Sequence, residues 1–431
     1  MTDREDARRR DRTDPLADVA DRFEVPGEQY LDGNSLGPAS DAAVAALDRA
    51  VDQWRELGIR AWTDADPPWY EYGERLGNRL ADLVGADPPE VVAANTTTVN
   101  VHSTVGTFLN AALSGDARTA TGDPVEGAGV VVNELDFPTD HYAIRAQMRA
   151  RGLDPAEHFH VVESPDGRTI DPGDVEAVLA EESVGALFFP SALYRSGQLF
   201  DLSRLTDLAH EHGAFAGFDL AHSIGVMPHD LSAAGVDFAV WCSYKYLNAG
   251  PGAVAGLYVN AAHFGRPPGL PGWWGHEAPF DLAAEHVPDP SAAGWQIGTV
   301  NVLSAAPLFG ALDVVETAGI EPIREGSLAR TRFLIDLVDE KLSPHGYEVG
   351  TPRAPARRGG HVAVEHPEAA RISEALRDRG TVVDFRPPDV VRVAPNPLYV
   401  SFEDVYDAVE RMRRVVADGV FEEYAVPDGV S

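Results

Sequence analysis

Between about residues 85 and 260, short apolar runs alternate with helical patterns, and this alternation constrains the fold more than any other feature. Runs at 130–134, 184–189, 214–219 and 238–241 have strand length and are largely apolar. They lack a polar alternation, as strands buried on both faces do. Helical patterns at 140–151, 172–182 and 202–212 separate them. Strands alternating with helices predict βαβ units and a mainly parallel sheet covered on both faces. From about 311 the pattern changes. A helical stretch at 325–342 leads to an apolar run at 359–364, a helix at 369–379, short runs at 381–384 and 390–393, and a closing helix at 401–416. The expected organisation is a large α/β domain over 61–310 and a smaller α+β domain over 311–431. Residues 1–60 would form a segment packing near the functional site and the small domain. The last fourteen residues or so read as a frayed tail.

Composition narrows the function. Hydrophobic residues make up 44 % of the 431 positions, enough for a packed core. The formal net charge is −33, which argues against nucleic acid or an anionic membrane as a partner. Lys245 and Lys341 are the only lysines; every other basic residue is arginine. Acidic excess with so little lysine fits adaptation to molar salt, where the Debye length falls to about 3 Å and self-repulsion is screened. A single cysteine, Cys242, excludes an intramolecular disulfide and a multi-cysteine zinc site. The 14 histidines show no H-E-x-x-H pairing, so no metal is expected. No apolar run has the length of a membrane span. Residues 1–14 are charged throughout, with no secretory h-region. A soluble, cytoplasmic protein is the expectation.

The lysine count singles out Trp241-Cys-Ser-Tyr-Lys245-Tyr-Leu-Asn-Ala-Gly250. Lys245 follows an apolar strand and sits among aromatic residues, before a Gly-rich turn. Partial desolvation there would make its amine nucleophilic, as a Schiff-base lysine requires. Lys341, at a helix end beside Asp339 and Glu340, suits ordinary charge pairing. Upstream, Asp219 ends an apolar strand in Phe218-Asp-Leu-Ala-His222, where ligands bind in open α/β sheets. A carboxylate facing a pyridine nitrogen keeps it protonated, which makes pyridoxal phosphate an electron sink. His222 suits either a ring-side contact or a buried structural histidine. Thr97 and Thr98, in Asn95-Thr-Thr-Thr-Val-Asn100, lead into a helix whose N-terminus could hold a phosphate. Asp and Lys at two strand ends of a parallel sheet are similar to the arrangement in the aminotransferase-like class, the PLP-dependent transferase fold type I.

These segments together resemble the kynureninases over most of the chain. The resemblance rests on Leu31-Asp-Gly-Asn-Ser-Leu-Gly37, on Thr97-Thr-Val-Asn100 and on Asp136-Phe-Pro-Thr-Asp-His-Tyr142. It continues through 218–222, 241–250, Gly272-Trp-Trp-Gly-His-Glu277 and Arg392-Val-Ala-Pro-Asn-Pro-Leu-Tyr399. It implies that Lys245 carries pyridoxal 5'-phosphate, that Asp219 pairs with the pyridinium nitrogen and that His222 lies beside it. Phe137 would stack on the ring, with Asp140 completing that wall. Thr97, Thr98, Tyr244 and the Trp273 indole would hold the phosphate. Thr299 would reach the phosphate of a neighbouring subunit in a homodimer. Arg392 would clamp the substrate carboxylate, near Asn34 and Ser35. Two positions depart from the family pattern. Val300-Asn301 stands where prolines are usual, and Pro190-Ser191 falls where a hydroxyl contact to the phosphate is usual.

The implied reaction is hydrolysis of L-kynurenine to anthranilate and L-alanine, a step of tryptophan breakdown or NAD precursor supply. Thr299 hints at kynurenine over its 3-hydroxy derivative. Lys245 and Asp219 would do the central chemistry, with Tyr244 as the acid/base partner in later proton transfers. The rivals are a small-molecule aminotransferase, a cysteine desulfurase and a non-catalytic binding protein of the same fold. A desulfurase needs a mobile cysteine well after the lysine, and Cys242 precedes it.

Overall fold

The structure is a computed structural model and describes residues 2–426 and 429. Its main sheet has seven strands: β1 (Val91–Ala93), β2 (Gly129–Asn133), β3 (Phe159–Val162), β4 (Val184–Pro190), β5 (Phe215–Asp219), β6 (Phe238–Trp241) and β7 (Gly256–Val259). Their order is β1-β7-β6-β5-β4-β2-β3. Strands β3 to β6 and β2 pair in parallel, while β7 runs antiparallel to both β6 and β1. The four expected strands are present within a residue of their expected bounds. Strands β1, β3 and β7, of three or four residues, are additions to that expectation; β1 and β3 form the two edges and β7 lies between β1 and β6.

The predicted burial on both faces is observed. In β2, β4 and β5 successive side chains alternate between two apolar clusters, one on each side of the sheet. Val130, Val132, Ala186, Phe188 and Phe215 enter one cluster, and Val131, Leu187, Phe189, Ala216 and Phe218 the other. Phe108 lies on Phe238 with ring centroids 4.4 Å apart. Gly217 makes room for that ring, since a Cβ there would sit 2.1 Å from Phe238. Helices Thr97–Ser114, Pro138–Ala150, Pro172–Glu181 and Leu202–Glu211 cover the sheet. The last two begin where Asp171 and Asp201 accept from Gly173 and Arg204 backbone N–H groups, an N-cap that fixes each start.

A second sheet of four antiparallel strands lies in the C-terminal part: β8 (Glu348–Val349), β9 (Val362–Glu365), β10 (Asp384–Arg386) and β11 (Val390–Val393), in the order β8-β9-β11-β10. The single run expected at 381–384 is divided. Thr381–Val382 pairs in parallel with Gln29–Tyr30 near the N-terminus, and only from Asp384 does the chain join the second sheet. The helix expected at 325–342 is Ile320–Leu337 followed by a π turn, Val338–Leu342. A boundary at residue 310 would fall inside helix Val302–Ala318, which packs on helix Asp41–Leu57 and ends at Gly319.

The charged N-terminus folds as helix Arg4–Asp11. It docks on helix Phe402–Ala417 through charge: Arg4 and Arg8 pair with Glu403 at 2.7 and 2.9 Å. The Asp11 carboxylate accepts from the N–H groups of Phe402 and Glu403 at 2.7 and 3.0 Å, capping that helix. In the expected tail, Val420–Glu423 forms a 3-10 turn; residues 427, 428, 430 and 431 lie outside the described residues. Among the described residues, no single helix is long and apolar enough to cross a membrane.

Candidate active site

The carboxyl ends of β5 and β6 carry Asp219 and, four residues past Trp241, Lys245. After β6 the chain turns sharply. Ala249 donates to the Ser243 carbonyl at 3.0 Å and Asn248 to that of Lys245 at 2.9 Å. Asn248 adopts φ +56°, and its side-chain amide donates to the Tyr246 carbonyl at 2.8 Å, which holds this left-handed residue in place. The N-terminal segment closes the turn from outside: Gly37 N–H donates to the Tyr244 carbonyl at 2.8 Å. A Cβ on Gly37 would lie 2.5 Å from the Lys245 carbonyl, so only glycine permits this approach.

Lys245 opens into a cavity of about 220 Å³. Thr97, Thr98, Phe137, Asp219, His222 and Tyr244 line it on the side of the large sheet; Asn34, Ser35 and Arg392 line the other. Lys245 Nζ lies 2.9 Å from His222 Nε2. Burial first, then the Lys245 cation, push His222 well below the ordinary imidazole range. The ring is therefore neutral; accepting at Nε2 puts its proton on Nδ1, which is buried without a partner. Burial lifts Asp219 to about 6, against the opposing pull of Lys245. Its Oδ1 accepts from Ala221 N–H at 2.8 Å. Asp140 is 1 % exposed, and neither of its carboxyl oxygens has a partner. Burial, then the nearby charges of Asp219 and Asp136, raise it well above the ordinary carboxylate value. Burial likewise raises the Tyr244 phenol, which keeps its proton.

Arg392 enters from β11, is 1 % exposed and is held on every side. Nη1 donates to the Tyr194 carbonyl at 2.7 Å and Nη2 to Ser35 Oγ at 2.6 Å. Nη2 also pairs with Asp384, which Arg386 shares at 2.7 Å. With its amide oxygen turned inward, Asn34 accepts from Nε at 2.6 Å. A bidentate carboxylate would have to replace Ser35 or Asp384 on Nη2, because those donors are already engaged.

Ser191 and Trp273, anticipated for the phosphate of this cavity, do not line it, and Thr299, expected at a neighbouring subunit's phosphate, does not line it either. Ser191 is fully buried beneath the cavity, with its hydroxyl 2.6 Å from that of Ser223. Trp273 is 47 % exposed and its indole N–H donates to the Pro279 carbonyl. Neither Trp273 nor Thr299 lines the cavity. Thr139, Tyr194 and Arg386 do line it and were not singled out. Thr139 lies inside a quoted string, 3.0 Å from Thr98 across their hydroxyls. Tyr194 stands in an irregular loop, edge-on to Phe137 at 5.4 Å, where no periodicity marks it.

The residues fit pyridoxal phosphate. On the cavity, His222 offers an unpartnered Nδ1 and Asp219 an acidic group at the strand end; Asp140, with two unpartnered oxygens, does not line the cavity but feels the charge of Asp219. Helix Thr97–Ser114 begins at the cavity without a side-chain cap, so its first N–H groups are available to an anion. An amine, a buried acid and a guanidinium thus converge on one small cavity, an arrangement suited to cofactor-assisted carbanion chemistry on an amino acid.

Residues 323–412 match the family model described as the kynureninase C-terminal domain. The kynureninase of Geobacillus thermodenitrificans is 43 % identical over 422 residues, covering 97 % of this chain and 96 % of the relative. That of Bacillus anthracis is 44 % identical over 422 residues, covering 96 % and 94 %. Among solved structures, the apo cysteine desulfurase of Thermococcus onnurineus superposes with a TM-score of 0.73 at 19 % identity, covering 96 % of this chain and 98 % of that one. A C-DES mutant with glycine covalently linked to its PLP cofactor gives 0.73 at 18 % identity, covering 92 % and 98 %. The fold is the α/β fold type I of PLP-dependent enzymes.

Proposed function

The chain belongs to the kynureninase family, and from that premise we propose that it hydrolyses the Cβ–Cγ bond of L-kynurenine, releasing anthranilate and L-alanine. The observation that carries the reading is Lys245 Nζ held at 2.9 Å from His222 in the cavity that Asp219 and Arg392 also line. Pyridoxal phosphate, when bound, supplies the electron sink for the charge that develops on the substrate. Thr97, Thr98 and the start of their helix would hold its phosphate, Phe137 would pack on its ring, and Asp219 would keep its ring nitrogen protonated, with Asp140 and His222 nearby. Arg392 takes the substrate carboxylate, exchanging Ser35 for it on Nη2, with Asn34 fixing Nε. The Lys245 amine removes the α-proton. A water adds to the γ-carbonyl of the substrate, and the diol gives up an O–H proton as the Cβ–Cγ bond breaks; the Tyr244 phenol would give its proton to the alanyl β-carbon and take up the one the diol loses. Cys242 is buried and its thiol is pushed up by burial, which disfavours desulfurase chemistry.

Trp273 and Thr299, outside the cavity of their own chain, would serve the cavity of a second copy in a homodimer. Apolar residues exposed near Thr299 support this: Trp54 and Leu303 line one groove. The acidic, lysine-poor surface fits a cytoplasm of high salt. The test is to mix the purified chain with pyridoxal phosphate and L-kynurenine in molar potassium chloride. Equimolar anthranilate and alanine are expected; amino-group transfer to 2-oxoglutarate outpacing anthranilate release would overturn the reading. Sedimentation should give twice the chain mass.

A further inference from the structure

Behind Lys245 lies a second imidazole that the reaction does not use. His361 is fully buried at the start of β9. Two glycines before it allow the approach: Gly359 N–H donates to the Gly197 carbonyl at 2.8 Å, and a Cβ on Gly360 would press on the Tyr246 hydroxyl at 2.9 Å. The His361 ring meets that of His222 edge-on, with centroids 5.7 Å apart. His222 in turn holds Lys245. On the other side, β9 pairs with β11, placing Ala363 opposite Arg392. His361, His222 and Lys245 thus form a line of contacts from the start of β9 to the amine.

We propose that His361 is a positioning residue, whose buried ring fixes the His222 imidazole so that Nε2 stays directed at Lys245. The polar ring of His361 is buried with its Nε2 unpartnered and its Nδ1 at 3.5 Å from the Tyr246 hydroxyl, the limit of a hydrogen bond. The groups facing the two rings are Lys245, Arg392 and Arg386, all cationic, with the Tyr246 hydroxyl and the Tyr194 backbone. Burial, then those cations, keep both imidazoles well below their ordinary range and so neutral. A neutral His222 can accept from an ammonium only in one ring orientation, and His361 is the contact that selects it. The proposal rests on Lys245 being the cofactor lysine.

The two-lysine composition supplies the test. The full chain, freed of pyridoxal phosphate, is acetylated with acetic anhydride, and the rates at Lys245 and Lys341 are read by mass spectrometry. Lys341, paired with Glu410 at 2.9 Å, reports an intact fold. Losing a hydrogen bond to a charged amine should raise Lys245 labelling by about tenfold. His361→Leu is expected to give that rise with Lys341 unchanged, His222→Leu the same rise, and the double variant no more than either. Ring-nitrogen NMR signals of His222 should show one tautomer in the wild type and both in His361→Leu. The proposal is overturned by an unchanged Lys245 rate, by effects that multiply in the double variant, or by one tautomer throughout. If His361→Leu unfolds, seen as faster Lys341 labelling, His361→Gln is read by the same criteria. Anthranilate is not measured, so failure here is distinct from failure of the reaction assignment.

Discussion

Two buried aspartates stand at opposite ends of the same sheet, and their surroundings differ in one decisive respect. Asp237, just before β6, has all its bonding capacity filled. It accepts from the N–H groups of Ala120 and Ala216 at 2.7 Å each, and lies 2.9 and 2.7 Å from Nε2 of His210 and His263. Burial alone would raise it; the two histidines hold it below the ordinary value. Asp219, at the carboxyl end of β5, accepts a backbone hydrogen bond from Ala221 and is lifted to about 6 by burial. Its neighbour Asp140 has no partner. A filled carboxylate builds the fold, whereas under-bonded ones mark where a ligand supplies the missing contacts.

Substitutions at the two ends should separate accordingly. The largest effect belongs to Lys245→Ala, expected to cut anthranilate release by about a thousandfold or more while leaving the melting temperature in place. At the opposite end, Asp237→Asn should destabilise by about 3 kcal/mol in chemical denaturation, since it leaves buried donors unmatched; turnover per folded molecule should be retained. Arg392→Lys should raise KM about tenfold, because an ammonium cannot reproduce the fork that Asn34, Ser35 and Tyr194 orient.

The pH dependence sharpens the contrast through its sign. Asp219 binds its proton more tightly folded than unfolded. Its contribution to stability is therefore complete below 3.8 and is lost as pH rises to about 6. Asp237 behaves oppositely: its contribution is present above 3.8 and is lost as pH falls through its lowered folded value. In the cofactor-free chain, Asp219→Asn should flatten the stability curve between about pH 4 and 6, and Asp237→Asn should flatten it below pH 4. The smallest effect is expected at the half-exposed Arg4–Glu403 pair, where Arg4→Ala should cost less than about 1 kcal/mol, and less still in molar salt.

Much of this contrast was legible in the sequence. Strands buried on both faces leave uninterrupted apolar runs, so β2, β4, β5 and β6 could be read directly. Asp219 was visible as a charge ending such a run, and Lys245 as one of two lysines. The filled site was not legible, because Asp237, His210 and His263 are far apart in the chain and only the fold unites them. The same holds for Arg386 and Tyr194. The N-terminal helix carries no apolar stripe, since its docking is made by Arg4, Arg8 and Asp11. Strand β7, of four residues, is too short to separate from the loop that precedes it. Ser191 illustrates the converse: the family resemblance suggested a phosphate contact there, yet its hydroxyl is turned to Ser223.

On the proposed function, Asp219 is under-bonded for chemistry and not for folding. The most direct measurement is anthranilate release from L-kynurenine by Asp219→Asn, loaded with pyridoxal phosphate and held well below its melting temperature. A loss of about a hundredfold or more, with a melting temperature equal to or above that of the wild type, is the expected result. Wild-type turnover in Asp219→Asn, or a lost rate explained wholly by unfolding, would contradict it.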